Sequence, residues 1–177
     1  MGQCKALLAL VITTTAETGS RDRGCSAAGL RGESRSVSSW STAWMKVFGD
    51  TVHFIALLST GDRWHARAVA ISRESPGPLI TTEWVLTEVG DAFSHPVARR
   101  KFIRLLQLLR EQPDVEIVPS TSDLFQRGTE FFSARPDKEW SLTDCISFVA
   151  MNERNITDAL TSDHHFEQAG FRILLKD

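Results

Sequence analysis

Four carboxylates stand out by where they fall: Asp50, Glu88, Asp144 and Asp163. Asp50 closes the short run Val47-Phe48-Gly49, and Asp163 follows Ala159-Leu160-Thr161. Each reads as an acid at the end of a strand. Glu88 lies one to two turns into the helix expected after Leu79-Ile80. Asp144 lies in the first turn of the helix before the fourth strand. In sheets of alternating strands and helices, ligands bind at the carboxyl ends of the strands. The four acids can therefore converge at one edge of one sheet. Carboxylates packed without counter-charge repel and raise each other's pKa, and a divalent cation removes that penalty. Oxygen donors without a Cys or His set suit Mg²⁺ or Mn²⁺ rather than zinc. With no glycine-rich phosphate loop alongside, the pattern points to metal-assisted hydrolysis of a phosphodiester.

The element around Asp144 organises the rest. In Trp140-Ser141-Leu142-Thr143-Asp144-Cys145-Ile146-Ser147-Phe148, Ser141 sits where an N-cap is expected and Asp144 follows at close to capping-box spacing. Leu142, Cys145, Ile146 and Val149 then recur at helical spacing. A capping acid that also meets the helix dipole explains Asp144 on its own. The company of the other three acids is what favours a ligand.

The supporting elements alternate. Strands are expected at 46–50, 79–80, 115–118, 159–161 and 171–174. Helices are expected at 52–58, 64–72 with Ala66, Val69 and Ala70 inward, 82–93, and from Pro96 with Phe102, Ile103, Leu105, Leu106 and Leu109 as its stripe. Further helices are expected from Ser120 to Phe132 and over 140–153, with a short turn from His164 to Ala169. Pro76-Gly77-Pro78 reads as a turn. Alternation of this kind predicts an α/β fold, a parallel sheet covered by helices on both faces.

Composition bounds the alternatives. The 177 residues are 42% hydrophobic and 24% charged with a net charge of −2, so no global basic field marks a nucleic-acid-coating protein. Three scattered cysteines, Cys4, Cys25 and Cys145, give no disulfide framework and no zinc spacing, which fits a reducing cytoplasm. No apolar run is long enough to span a membrane. Residues 1–44 differ from the rest. The apolar run at 6–12 has a weak positive flank and no clear cleavage site, and 20–41 is rich in Ser, Gly and Arg. We read 1–44 as a disordered upstream extension, with Met45 as the natural start. Of the 20 basic and 22 acidic residues, five and three lie in this extension, which leaves 15 and 19 and a net −4 for 45–177.

The segment 45–177 resembles the PIN-domain ribonucleases, in particular the VapC-like toxins of toxin–antitoxin pairs. The resemblance is carried by Val47-Phe48-Gly49-Asp50-Thr51, Thr81-Thr82-Glu83-Trp84-Val85-Leu86-Thr87-Glu88, Trp140-Ser141-Leu142-Thr143-Asp144-Cys145 and Leu160-Thr161-Ser162-Asp163-His164-His165-Phe166. It implies a three-layer α/β/α fold with 46–50 as the central strand. It also implies metal ligands at Asp50, Glu88, Asp144 and Asp163, and a hydroxyl helper at Thr51 that bonds a ligand carboxylate or the phosphate. One or two Mg²⁺ ions, with Mn²⁺ as the alternative, would activate water for RNA hydrolysis; a pair would lie about 3.5–4 Å apart. Glu88 would complete the shell or orient a bound water. The implied partners are an RNA substrate, a cognate antitoxin and a second copy of the chain in a homodimer. Gly49 departs from the family, which carries a larger apolar residue there, and predicts a looser Asp50. His53 is also an unusual choice after the first acid.

Each residue also admits a structural role: Asp50 as a strand-end turn acid, Glu88 as a solvated helix residue, Asp163 as a cap. His164 and His165 look like a zinc pair, but adjacent residues on a helix do not face each other. Arg99, Arg100, Lys101 and Arg104 form either an RNA-tracking face or a solvated one. Trp64, Trp84 and Trp140 read as packing rather than base-stacking platforms. Two other classes compete. A non-catalytic PIN-like module binding RNA or protein would be favoured by loss of any of the four acids, and all are present. An aspartyl-phosphate phosphatase needs a second Asp two residues after Asp50, where Val52 stands.

Overall fold

Three-residue β1 (Val47–Gly49) is the middle of the molecule, as expected of the first strand, and the rest of the sheet assembles on either side of it. A computed structural model describes residues 45–74 and 77–176. The expectations for 1–44 and for Pro76 lie outside these residues. Within them the order is β1, α1 (Thr51–Leu58), α2 (His65–Glu74), β2 (Leu79–Thr82), α3 (Glu83–Ala92), α4 (Pro96–Glu111), β3 (Val115–Val118), α5 (Ser122–Ser133), α6 (Leu142–Glu153), β4 (Asp158–Leu160), α7 (His164–Gln168) and β5 (Arg172–Ile173). The strands form one sheet in the order β3-β2-β1-β4-β5. Every pairing is parallel, with Phe48 opposite Ile80 on one side and Ala159 on the other. β1, β2 and β4 are buried along their whole length, as strands covered on both faces must be. This is the three-layer α/β/α arrangement.

The caps set the element boundaries. Thr82 accepts the Val85 amide and starts α3; Thr121 accepts that of Leu124 and starts α5. The helix after β3 thus begins one to two residues later than Ser120. α6 and α7 end alike. Ile156 N–H donates to Met151 and Phe171 N–H to Phe166, around Asn155 at φ 53° and Gly170 at φ 95°. These left-handed residues turn the chain back into β4 and β5.

Two helical faces differ from expectation. α2 buries Ala68 and Ile71, while Ala66 is exposed and Val69 and Ala70 are half-buried. α4 buries Leu105, Leu108 and Leu109 and leaves Ile103 47% exposed. In α2 small apolar residues face several directions, and in α4 Ile103 lies at the edge of the apolar face, so the stripe alone does not fix which residues are buried. The fourth strand also begins earlier, at Asp158, a buried acid whose carboxylate takes the Arg172 guanidinium at 2.7 Å. A buried carboxylate argues against a strand until its partner in the neighbouring strand is known.

Gly49 is packed rather than loose. A Cβ there would lie 2.9 Å from the Phe54 ring and 3.1 Å from Leu79 Cδ1, and the Gly49 carbonyl accepts the buried Thr81 hydroxyl at 2.8 Å. The missing side chain is replaced by Phe54, which corrects the expectation of a weakened strand. His53 is likewise a core residue, fully buried beside Phe54, with Nε2 3.4 Å from Ser72 Oγ on α2.

Candidate active site

An aromatic cluster holds the acid-bearing elements together. Phe166 packs against Phe48 of β1 at 6.2 Å and Phe148 of α6 at 4.9 Å. Phe48 stands two residues before Asp50, Phe148 four after Asp144 and Phe166 three after Asp163. Buried Trp140 extends the cluster, edge-on to Phe148 and donating Nε1–H to Gln168. Trp84 stacks on Phe125. Both tryptophans pack, in keeping with their sequence reading.

Asp50 occupies the N-cap position of α1 but does not cap it. Its carboxylate is buried, and Oδ2 accepts the Thr161 hydroxyl at 2.7 Å. Burial pushes its pKa up to about 7. The Thr161 and Thr51 hydrogen bonds pull the other way, and the charges of Asp144 and Asp163 add to the rise. Asp144 forms a complete capping box: Ser141 N–H donates to Oδ2 at 2.8 Å, and the Asp144 amide donates to Ser141 Oγ at 3.0 Å. Its pKa is also raised, first by burial and then by Asp163, against the Ser141 bonds and His165. Asp163 caps α7 by accepting the His165 amide at 2.9 Å, while its own amide donates to Thr161 Oγ1 at 3.0 Å. Capping and site geometry thus coincide at Asp144 and Asp163. Each uses one lone pair of one oxygen in its cap, which leaves the second oxygen and the other lone pair of the capping one for a further partner.

Glu88 joins through Thr51, whose hydroxyl donates to Glu88 Oε2 at 2.7 Å. Asp144 and Asp163 are the acids that press on Asp50, whereas Glu88 stands at the rim, tied to the residue beside it. The basic residues of α4 are less uniform. Arg99 and Lys101 bond the Ser94 and Leu58 carbonyls, and Arg100 and Arg104 are exposed.

Two residues here had no role in the sequence reading. Thr161 links Asp50 to the Asp163 backbone; a hydroxyl two residues before a strand-end acid was the available signal. His165 places Nδ1 3.4 Å from Asp144 Oδ2 and 3.5 Å from Asp163 Oδ1. The rings of His164 and His165 do approach, with centroids 4.4 Å apart. The spacing rule that separates neighbours along a long helix does not hold at the first two residues of a five-residue one, where both rings fold back toward Asp163.

The donor set fits a divalent cation. A buried carboxylate that burial and two neighbouring anions hold partly protonated is what an oxygen-seeking ion relieves.

The PIN domain family matches residues 47–172. The 23S rRNA-specific endonuclease VapC20 of Mycobacterium tuberculosis is 27% identical over 125 residues, which span 71% of this chain and 95% of that protein. Its crystal structure, described as a sarcin-ricin loop cleaving toxin, superposes with a TM-score of 0.65 at 26% identity, over 71% of this chain and 95% of that one. VapBC2 of Rickettsia felis, solved on a DNA fragment of its promoter, shares the fold with a TM-score of 0.54 at 11% identity, over 73% and 97%.

Proposed function

The chain belongs to the PIN-domain family, and we propose that it is a metal-dependent endoribonuclease, the toxin of a toxin–antitoxin pair. The observation that supports this most is Asp50, a buried carboxylate under the charge of Asp144 and Asp163. Near-complete coverage of an rRNA-specific endonuclease supports the substrate class, and makes a ribosomal RNA loop the first substrate to test. Asp50, Asp144 and Asp163 would hold Mg²⁺ or Mn²⁺, with Glu88 as a further ligand or a residue that orients a bound water. When bound, the ion supplies an activated water and neutralises charge developing on the phosphate.

The protein's own groups position these atoms. Thr161 fixes the Asp50 carboxylate and the Asp163 backbone together. Ser141 fixes Asp144, and Thr51 fixes Glu88. With each acid oriented before metal or RNA arrives, little reorganisation is needed in the reaction. The expected partners are RNA, a cognate antitoxin that covers the acidic cleft, and a second copy of the chain. No helix among the described residues is long and apolar enough to cross a membrane.

Incubating ribosomal RNA with the full chain tests this reading. Discrete cleavage in Mg²⁺ that stops on adding EDTA is expected. RNA left intact in both Mg²⁺ and Mn²⁺ would count against it.

A further inference from the structure

The acids were expected to form an all-oxygen site, yet one side of it is lined by imidazole. Among the described residues, Asp163, His164 and His165 bring ligand atoms within 4.8 Å of one another, and Asp50 is not part of this group. Asp163 Oδ1 lies 3.5 Å from His164 Nδ1 and 3.5 Å from His165 Nδ1. An ion with four tetrahedral bonds of about 2.0–2.1 Å needs its ligands about 3.4 Å apart. Two of the three edges lie close to that figure, and the third falls within the 4.8 Å that bounds the group. Asp144 Oδ2 borders this group, 3.4 Å from one of its three ligand atoms, His165 Nδ1.

The state of these atoms favours a ligand role. His165 Nδ1 is buried and has no hydrogen-bond partner, although two carboxylates flank it. A buried ring nitrogen without a partner is costly, and a metal ion satisfies it. His164 is 68% exposed, which leaves the site open to an ion from solvent. Oriented supports are present: Thr161 takes the Asp163 amide, and the Ser141 amide holds Asp144 Oδ2. Mixed imidazole and carboxylate donors select against Mg²⁺ and toward later first-row ions, zinc among them.

We propose that Asp163, His164 and His165 form a binding site for a borderline transition ion such as Zn²⁺. Because Asp163 serves both sets, zinc bound there displaces Mg²⁺ and inhibits the cleavage proposed above; this consequence, but not the binding, rests on the nuclease reading. Calorimetric titration of the metal-free full chain with Zn²⁺ tests the site, and Co²⁺ serves as a spectroscopic probe of four-coordinate geometry. One zinc per chain is expected, binding at micromolar concentration in the presence of millimolar Mg²⁺. His164→Ala and His165→Ala should each weaken it by at least about tenfold and abolish the Co²⁺ spectrum. His164 is exposed, so its variant remains informative even if His165→Ala fails to fold. Asp50→Asn should retain zinc.

Equal zinc affinity in the unsubstituted chain and His164→Ala, or no zinc binding in millimolar Mg²⁺, would overturn the proposal. Zinc binding by a chain that never cleaves RNA would overturn the nuclease reading alone. Mg²⁺-dependent cleavage without histidine-dependent zinc binding would overturn this one alone.

Discussion

Asp50→Asn is expected to stabilise the metal-free protein at pH 8 and to do almost nothing at pH 4.5. Burial, with Asp144 and Asp163 nearby, raises the Asp50 pKa to about 7, against about 3.9 for an ordinary aspartate. Below about pH 4 the group is neutral in both folded and unfolded chains. From there to about pH 7 the unfolded chain has released the proton and the folded chain retains it, so stability falls as pH rises. A gap of about three pK units, at about 1.36 kcal/mol each, sets the full loss near 4 kcal/mol. Asn preserves an acceptor for the Thr161 hydroxyl. It loses one oxygen beside the Thr51 amide, a cost of about 1 kcal/mol. The net gain at pH 8 is about 2–3 kcal/mol, or roughly 5–10 °C in Tm for a domain of this size. At pH 4.5 the two effects cancel to within about 1 kcal/mol. The assay is denaturation of both proteins in EDTA at the two pH values. Any contribution common to both, His53 included, drops out of the difference. A difference independent of pH, or a less stable variant at pH 8, would mean that burial and the neighbouring acids do not hold a proton on Asp50.

His53 should titrate with the opposite sign. Burial lowers its pKa to about 3, so the unfolded chain alone takes a proton as pH falls below about 6.5, and stability is lost on that side. His53→Leu should flatten that acid limb in a plot of unfolding free energy against pH; an unchanged limb would assign it elsewhere. Gly49→Ala forces a Cβ against Phe54 and Leu79 and should cost about 1–3 kcal/mol in denaturant unfolding, where no loss would mean that the pocket gives freely. We also propose that residues 1–44 contribute little to the fold, since the family match begins at 47; their deletion should change stability by less than about 1 kcal/mol, and a large drop in Tm would contradict this.

The order of strands and helices was readable because short runs with apolar residues alternate with helical stretches that open on capping residues such as Thr82, Thr121 and Ser141. Ser141 and Asp144 were readable as a capping box because that signal is local. Helix rotation was not: at α2 and α4 the buried stripe is chosen by what packs against it, which places Ala68 and Leu108 inside. Gly49 misled because its role is the space that Phe54 fills, a contact five residues away on the next element. The acids could be named from strand ends, but not their supports. Thr161 acquires its role only when β4 pairs with β1 and brings its hydroxyl to Asp50. His165 was set aside by a rule for long helices that a five-residue helix does not obey.

If Asp50, Asp144 and Asp163 act as one metal-binding set for RNA cleavage, removing one anionic oxygen should cripple the reaction. The most direct measurement is the rate of RNA cleavage against Mg²⁺ concentration for the full chain and its Asp144→Asn variant. Asn can retain the capping bond to the Ser141 amide, so a residue that only caps should cost at most about 1 kcal/mol of stability and leave cleavage intact. The account predicts a fall of about 100-fold or more that high Mg²⁺ only partly restores, because several kcal/mol of charge stabilisation are lost with the anionic oxygen. Full activity in Asp144→Asn would contradict it.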